Sequence, residues 1–294
     1  MKCEGVELRR NIFDIVNAKQ SPILELERID ELLNKDGGVY VTDELFKDLL
    51  DKGTPTSIIK YIDNHLFKSW KQRGTCIDCA DLRCTLGIET IPKTENELTV
   101  DFIFIYCEYA SNLIYLLRQK LGENDEVSNI VSAADENIRK FLGWYNCELK
   151  CFPKQEKVLV VHKNPAATAV AEIIDESLAY SVIDYNHHLL KGDIAKKKAI
   201  LLALGSDLEP KRAEIKSLDK DLEDSIFFML NNLDLRHNNR KKGDKNYKEI
   251  VAKMSKAKLE GWYDELYQLM LTAYILLDNK NRILKIAQLK QDIK

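Results

Sequence analysis

The chain has 294 residues, of which 31% are charged and 45% apolar, and its formal net charge is −3. This composition is that of an ordinary globular protein. It excludes a disordered chain and a chain that is basic throughout, so any affinity for phosphate groups has to be local. The length fits one large helical unit or two smaller ones, and we predict two.

The N-terminal stretch MKCEGVELRRN contains no apolar core of the kind found in signal peptides. No stretch reaches the roughly 18 uninterrupted apolar residues that a membrane-spanning helix needs. The seven cysteines are an odd number, which argues against a disulfide framework and for reduced thiols. We therefore expect a cytoplasmic protein that does not enter a membrane.

Residues 1–94 are predicted to form an N-terminal helical lobe. Apolar residues recur at spacings of three and four, while glycine and proline fall between the apolar runs. Within this lobe, Val6–Lys19, Pro22–Asn34 and Asp43–Asp51 are predicted helices. Thr54 followed by Pro55 has the pattern of a helix start, and the helix that it begins should extend to about Lys71.

Residues 95–294 are predicted to form a helical bundle. Two shorter helices, Asp125–Phe141 and Ile194–Leu204, accompany four long amphipathic ones. Near 146–162, apolar and charged residues alternate before a β-branched run, which predicts one small β-hairpin. The predicted fold is therefore mainly α, an antiparallel bundle with a β-hairpin insertion and an N-terminal lobe. The four long helices are Leu98–Leu121, Asn164–Lys191, Leu222–Leu233 and Trp262–Leu277.

The stretch LDLRHNNRKKGDKNY, residues 233–247, joins the last two of these helices. From Arg236 to Lys245 it contains five Lys or Arg residues against one acid, which creates a local positive potential. We predict phosphate binding there by Asn238, Arg240, Lys241 and Lys242. The alternative is a solvated surface loop in which the asparagines end a helix.

Arg236 follows the apolar Leu233 by three residues, so we expect it to face neighbouring helices rather than water. A half-buried arginine needs a partner. The functional interpretation gives it a phosphate as that partner. The structural alternative is an ion pair with a carboxylate of a facing helix, with Glu108, Asp184 and Asp264 as candidates.

The bundle pattern and the Arg236-His237-Asn238-Asn239 element before the final helix resemble HEPN-domain proteins, many of which are abortive-infection or toxin proteins of bacteria. The resemblance extends over about residues 95–290. It implies a metal-independent RNA-cleaving site that is often completed across a homodimer. In such a site Arg236 would stabilise charge on phosphorus and His237 would transfer a proton, so both are candidate catalytic residues.

RNA-cleaving members of that family have a histidine several positions beyond the arginine, whereas Arg236 and His237 are adjacent. Consecutive helical residues point about 100° apart, so both can reach one phosphate only if the helix ends there. Two hypotheses follow. The chain is either a HEPN-like protein that acts on RNA or a nucleotide, or a non-catalytic module for protein interaction or regulation.

The cysteines offer a competing zinc site. Cys76 and Cys79 have the spacing of a zinc knuckle and Cys84 could add a third thiolate, but the sequence presents no clear fourth ligand beyond His65. Cys147 and Cys151 would lie about 13 Å apart on a strand, too far for one ion. We therefore predict no metal and no other cofactor, and we place Cys107 in the core.

Two further features have structural interpretations. His187 and His188 fall near the end of a predicted helix, where cations interact favourably with the helix dipole. The aromatic residues of the last helix could stack on bases, but we expect core packing for them, with Trp262 and Tyr274 on or beside the apolar stripe. The aromatic residues concerned are Trp262, Tyr263, Tyr267 and Tyr274.

Overall fold

The chain divides into two compact units, Met1–Val160 (unit 1) and Val161–Lys294 (unit 2). Both are mainly helical, as predicted. The division does not fall at the predicted boundary between residues 94 and 95, because elements on both sides of that boundary share the core of unit 1. The computed structural model describes residues 21–37, 39–41, 54–121 and 125–293.

Unit 1 combines helices with two small two-stranded sheets. Strands β1 and β2 pair antiparallel, and β3 pairs with β4 in the hairpin predicted near 146–162, which is confirmed. Strand β4 carries the chain into unit 2. The helices are α1 (Pro22–Asn34), α2 (Ile58–Tyr61), α3 (Cys79–Leu86), α4 (Val100–Leu121) and α5 (Asp125–Gly143), and the strands are β1 (Val39–Val41), β2 (Thr54–Thr56), β3 (Cys147–Phe152) and β4 (Lys157–His162).

The predicted helix start at Thr54 is wrong. Thr54–Thr56 is a strand, since β-branched residues suit a strand and a proline is tolerated where strands lie at an edge. The helix begins after Ser57, whose Oγ accepts a hydrogen bond from the Lys60 amide at 3.2 Å. The predicted helix Pro22–Asn34 is confirmed as α1, whereas Val6–Lys19 and Asp43–Asp51 lie outside the described residues.

Helix α4 is the central helix of unit 1. Its segment Val100–Gln119 is long and apolar enough to cross a membrane, but 61% of its most apolar window is buried, as in the core helix of a soluble protein. Two of its polar side chains bind the β4 backbone. Glu108 Oε2 accepts from the Val160 amide at 2.7 Å, and Asn112 bonds both the amide (2.9 Å) and the carbonyl (2.7 Å) of Val158.

Unit 2 contains three of the four predicted long helical segments, while the fourth is α4 of unit 1. The predicted single helix Asn164–Lys191 is wrong, because the helix ends at Ala171. Two shorter helices form instead and pack against each other, which buries Val170 and Val182. The helices are α6 (Pro165–Ala171), α7 (Glu176–Asp184), α8 (Ile194–Leu208), α9 (Arg212–Leu218), α10 (Lys220–Asn232), α11 (Glu249–Ala252) and α12 (Lys256–Asp292).

The predicted core packing is confirmed for three of the four aromatic residues of helix α12 and is wrong for Trp262. Trp262 is 42% exposed, whereas Tyr263, Tyr267 and Tyr274 are buried. Each buried tyrosine donates its hydroxyl proton to an interior oxygen, which lets the ring lie in the core. The acceptors are Leu233 O (3.1 Å) for Tyr263, Val182 O (2.6 Å) for Tyr267 and Asp207 Oδ2 (2.9 Å) for Tyr274.

Candidate functional site

The loop between α10 and α11 is organised by Asn239, which is fully buried. Its side-chain Oδ1 accepts from the Asp234 amide and its Nδ2 donates to Asn246 O, both at 2.8 Å. Its backbone carbonyl accepts from the Lys248 amide at 2.7 Å. Because α10 already ends at Asn232, Asn239 folds the loop and does not end a helix.

Arg236 is directed toward the interior of unit 2 and is paired there. Its Nη2 lies 2.5 Å from Glu209 Oε2, and its guanidinium lies 5.6 Å from the centre of the Phe227 ring. The expectation that Arg236 faces neighbouring helices agrees with this geometry. The three suggested partners are wrong, because the carboxylate that pairs with Arg236 is Glu209. Glu108 instead accepts from the Val160 amide, Asp184 pairs with Lys196 and Asp264 pairs with Lys197.

The other predicted phosphate ligands lie around the loop surface. His237, Asn238, Lys241 and Lys242 are exposed, and Arg240 donates to Met254 O at 3.1 Å. The pKa of Asp244 is lowered by the hydrogen bond from the Asn246 amide, and then by Asn238, Lys241 and Lys245. Arg236 is therefore paired with Glu209, whereas the neighbouring His237 is exposed.

A cavity of about 400 Å³ in unit 2 brings together titratable side chains that are distant in sequence. Three of the five histidines of the chain line it. We call it the histidine cavity. Its lining residues are His162, Tyr185, Asn186, His187, His188, Lys191, Lys197, Ala257, Glu260, Gly261, Asp264, Tyr267 and Gln268.

Lys197 forms ion pairs with both acidic residues of the histidine cavity, Glu260 and Asp264, which together are called the acidic wall. This lysine is only 7% exposed, and its Nζ lies 2.7 Å from Asp264 Oδ1 and 2.8 Å from Glu260 Oε1. Glu260 Oε1 also accepts from the Gly192 amide at 2.7 Å, and Asp264 Oδ1 accepts from the Tyr185 hydroxyl at 2.9 Å. Both carboxylates are thus bound before any ligand enters.

Two stacked tyrosines, Tyr185 and Tyr267, lie beside the acidic wall. The rings of Tyr185 and Tyr267 lie 4.0 Å apart and nearly parallel, and Lys197 Nζ lies 5.2 Å from the centre of the Tyr185 ring. Asn186 Nδ2 donates to the Tyr267 hydroxyl at 2.8 Å. This connected set of hydrogen bonds fixes the positions of the acidic groups, because each of them has a protein partner.

His187 and His188 do not end a helix, so the predicted capping role is wrong. His187 forms an antiparallel β-bridge with Val161, and the His162 amide donates to Asn186 O at 2.9 Å. These backbone contacts bring His162 to the cavity that His187 and His188 line. The rings of His187 and His188 lie 4.5 Å apart, and both residues are buried.

The charges on the cavity wall balance when the histidines are neutral. Lys191 and Lys197 offset Glu260 and Asp264. Partial burial lowers the pKa of His162, and electrostatic interactions with His188 and Lys191 lower it further. Burial alone would raise the pKa of Glu260, but hydrogen bonds from Gly192 and Lys197 outweigh it, so this pKa is lowered. Near neutral pH the wall therefore holds carboxylates and neutral His162.

No protein-family model, curated protein or solved structure matches this chain.

The cysteine cluster is divided between different environments. Cys76 Sγ lies 3.5 Å from Thr85 Oγ1, and Cys84 is exposed. Cys79 is buried, and its backbone amide donates a hydrogen bond to Asp63 Oδ1. Burial raises the pKa of the Cys79 thiol, and Asp63 adds to the shift. A raised pKa disfavours the thiolate form that binds zinc. The predicted core position of Cys107 is confirmed.

The histidine cavity has the groups needed to bind and protonate an anionic ligand. An imidazole near neutral pH can accept or donate a proton and gains a positive charge when it is protonated. Here the acidic groups are already bound to Lys197, so a proton added to the histidines makes the cavity positive. Local sequence patterns could not reveal this arrangement, although a His-His pair inside an apolar run was a signal.

Proposed function

We propose that unit 2 binds a phosphate-bearing ligand, a nucleotide or RNA, in the histidine cavity. The observation that carries the proposal is the convergence of three histidines and Lys191 on a cavity whose two carboxylates are bound by Lys197. In this proposal the protein is cytoplasmic and HEPN-like, as its helical pattern suggested.

The size and the charge of the cavity support this ligand class. A volume of about 400 Å³ falls within the range of about 300–1,000 Å³ typical of small-molecule sites. Imidazolium groups and Lys191 offer charged N–H donors, which form short, strong hydrogen bonds to phosphate oxygens. Since bound phosphate favours the protonated imidazole, affinity should increase as the pH falls through the lowered pKa of His162.

If the ligand is RNA, two imidazoles in one cavity could also cleave it without a metal ion. One would remove the proton of the attacking 2′-hydroxyl and the other would protonate the leaving oxygen. Lys191 would stabilise the charge on phosphorus in this scheme, because Arg236 is held by Glu209. Defence against phage, toxin activity and a site completed in a homodimer are parts of the same HEPN-like proposal.

Binding of a fluorescent nucleotide and of a short single-stranded RNA, followed by anisotropy, tests the proposal. His162→Gln, at the exposed edge of the cavity, and His188→Gln should each weaken binding about tenfold, an effect typical of one charged hydrogen bond. The matched control is His237→Gln, which alters the exposed histidine of the loop and should leave affinity unchanged. The absence of any binding by the parent protein would refute the proposal.

The loop between α10 and α11 would contribute only long-range attraction. Replacing the exposed Lys241 and Lys242 with glutamine should weaken RNA binding at low salt, and the difference should shrink as salt increases, because such contacts act mainly through counterion release. A loss of binding in the loop variants with normal binding in His162→Gln would instead assign the site to the loop.

A second candidate function is that of a protein-interaction module. All described residues of α12 from Asn281 onward are exposed, and Ile286, Leu289 and Ile293 recur at spacings of three and four with exposures of 51%, 55% and 75%. This pattern is that of a helix face that binds another helix, and a second copy is the expected partner. Sedimentation equilibrium should show a dimer that Leu289→Asp dissociates, whereas a monomeric parent protein would contradict this candidate.

A further inference from the structure

Unit 1 contains a small cavity, lined by both apolar and polar side chains, that the proposed function does not use. It lies between α4, α5 and the β3–β4 hairpin and has a volume of about 100 Å³. Helix α4 contributes Ser111, Tyr115 and Arg118, while α5 contributes Asp135 and Arg139. We call it the two-arginine cavity.

Ser111 is a buried hydroxyl in the wall of this cavity. It is 3% exposed, and its Oγ has no hydrogen-bond partner among residues 21–37, 39–41, 54–121 and 125–293. Helical serines commonly donate to the carbonyl one turn earlier, as Ser206 does to Leu202 O at 2.9 Å and Ser181 to Ser177 O at 3.3 Å. An unsatisfied buried hydroxyl is costly, so Ser111 points to a partner supplied by a ligand.

Two arginines in this cavity share one carboxylate oxygen. Arg118 Nη1 lies 3.5 Å and Arg139 Nε lies 3.0 Å from Asp135 Oδ2. Two guanidinium groups against one carboxylate give this cluster a formal charge of +1. Each guanidinium has five N–H donors, and the contacts to Asp135 use one from each, so further donors remain for an anion at the cavity mouth.

Cys151 and Tyr115 line the same cavity. Burial raises the pKa of the Cys151 thiol, while a hydrogen bond from Tyr115 and the charge of Arg139 partly oppose the shift. The residue as a whole is exposed. Cys151 therefore lies beside the positive cluster and can be reached by a thiol reagent, which makes it a reporter of whether the cavity is occupied.

We propose that the two-arginine cavity binds one tetrahedral oxyanion, a phosphate or sulfate group. Arg118 and Arg139 donate to its outer oxygens, and the Ser111 hydroxyl donates to an inner one. The volume of about 100 Å³ exceeds the roughly 10–15 Å³ that one water molecule needs, so the cavity has room for a small anion. The group is either a free anion or the terminal phosphate of a molecule that remains outside.

Hydrogen exchange of the full-length protein in phosphate, sulfate and chloride buffers of equal ionic strength tests this site. Phosphate and sulfate should slow exchange in peptides of α4 and α5, and phosphate should slow the alkylation of Cys151 by iodoacetamide. Chloride should do neither. A nucleoside triphosphate that gives the same protection would assign a terminal phosphate, whereas protection by the inorganic anions alone would assign a free anion.

Matched variants separate a ligand site from a structural cluster. Arg139→Gln should reduce the affinity for phosphate about tenfold, while Lys140→Gln, which removes a neighbouring exposed charge from α5, should leave it unchanged. Ser111→Ala should raise the melting temperature in chloride, because it removes an unsatisfied hydroxyl, and should abolish the stabilisation by phosphate.

Equal protection by phosphate in the parent protein and in Arg139→Gln would overturn this proposal, and so would the absence of protection in the parent protein. The readouts lie in unit 1, so they are separate from the histidine cavity. His162→Gln should leave them unchanged, and failure at either site is therefore distinguishable from failure at the other.

Discussion

Replacing Lys197 with methionine is expected to loosen unit 2 strongly. Methionine keeps an unbranched apolar side chain in the buried position but removes the positive charge between Glu260 and Asp264. Glu260 would keep its hydrogen bond from Gly192, and Asp264 would keep that from Tyr185. The variant therefore tests the contribution of the charge itself.

The magnitude follows from the burial of the three side chains. Lys197 and Glu260 are 8% and 15% exposed, whereas Asp264 is 49% exposed and partly screened by water. Breaking a buried ion pair costs about 3–5 kcal/mol and an exposed pair contributes at most about 1 kcal/mol. We therefore expect a loss of about 2–3 kcal/mol in the free energy of unfolding of unit 2.

The pH dependence has a definite sign. Because the pKa of Glu260 is lowered in the folded protein, its contribution to stability is present above its unfolded pKa, about 4.3. That contribution is lost as the pH falls through the lower, folded pKa. The difference in stability between the parent protein and Lys197→Met should thus be largest near neutral pH and should shrink in acid.

Hydrogen exchange measured by mass spectrometry gives this stability for each unit. Peptides from α8 should exchange about 30- to 150-fold faster in Lys197→Met, since about 1.4 kcal/mol corresponds to a factor of ten. Peptides from α4 in unit 1 should be unchanged. Lys216→Met, which removes an exposed charge from α9, is the control and should have a much smaller effect. Similar rates in the two variants would refute the reasoning.

Three further outcomes are expected. Arg236→Met should lower the stability of unit 2 by about 1–2 kcal/mol in urea titrations, since its partner Glu209 is half-exposed. The affinity for a nucleotide should stay the same. A loss of affinity at normal stability would contradict the structural role of Arg236. Asn239→Ala should cost about 2–3 kcal/mol through two buried hydrogen bonds, and unchanged exchange in peptides from residues 233–248 would oppose this. Elemental analysis should find no stoichiometric zinc, whereas about one zinc per chain would contradict the prediction that the chain binds no metal.

The sequence predicted those elements whose signals are local. Helix α1 begins at Pro22, because proline is favoured at the first helical position, and its apolar residues recur at helical spacing. The β3–β4 hairpin was predicted because period-two alternation and a β-branched run flank a turn. Such signals depend only on neighbouring residues, so tertiary contacts did not alter them.

The predicted core position of Trp262 on α12 was wrong, because a hydrophobic pattern does not show which positions other helices cover or where a hydroxyl finds an acceptor. Tyr263 and Tyr267 are buried since Leu233 O and Val182 O accept their protons, while the more apolar Trp262 remains half-exposed. The positions of these acceptors depend on other helices. No periodicity along α12 contains that information.

The candidate site could be predicted only in part. The half-buried, paired position of Arg236 followed from its spacing to Leu233. Its partner Glu209 could not be predicted in this way, because it begins a 3-10 helix, Glu209–Lys211, that lies between α8 and α9. The histidine cavity was missed because the bridge between Val161 and His187 joins segments that are far apart in sequence. The proximity of His162 and His188 is a consequence of that long-range pairing.

Histidine NMR shows whether a nucleotide binds in the histidine cavity. In protein labelled with ¹³C at the histidine Cε1 position, the five histidines report separately on the cavity and on the rest of the chain. Addition of a nucleotide should shift the signals of His162, His187 and His188 and raise the pKa of His162 from its lowered value. The signals of the exposed His65 and His237 should stay in place. Shifts confined to His237, or no shift at saturating nucleotide, would contradict binding in the histidine cavity.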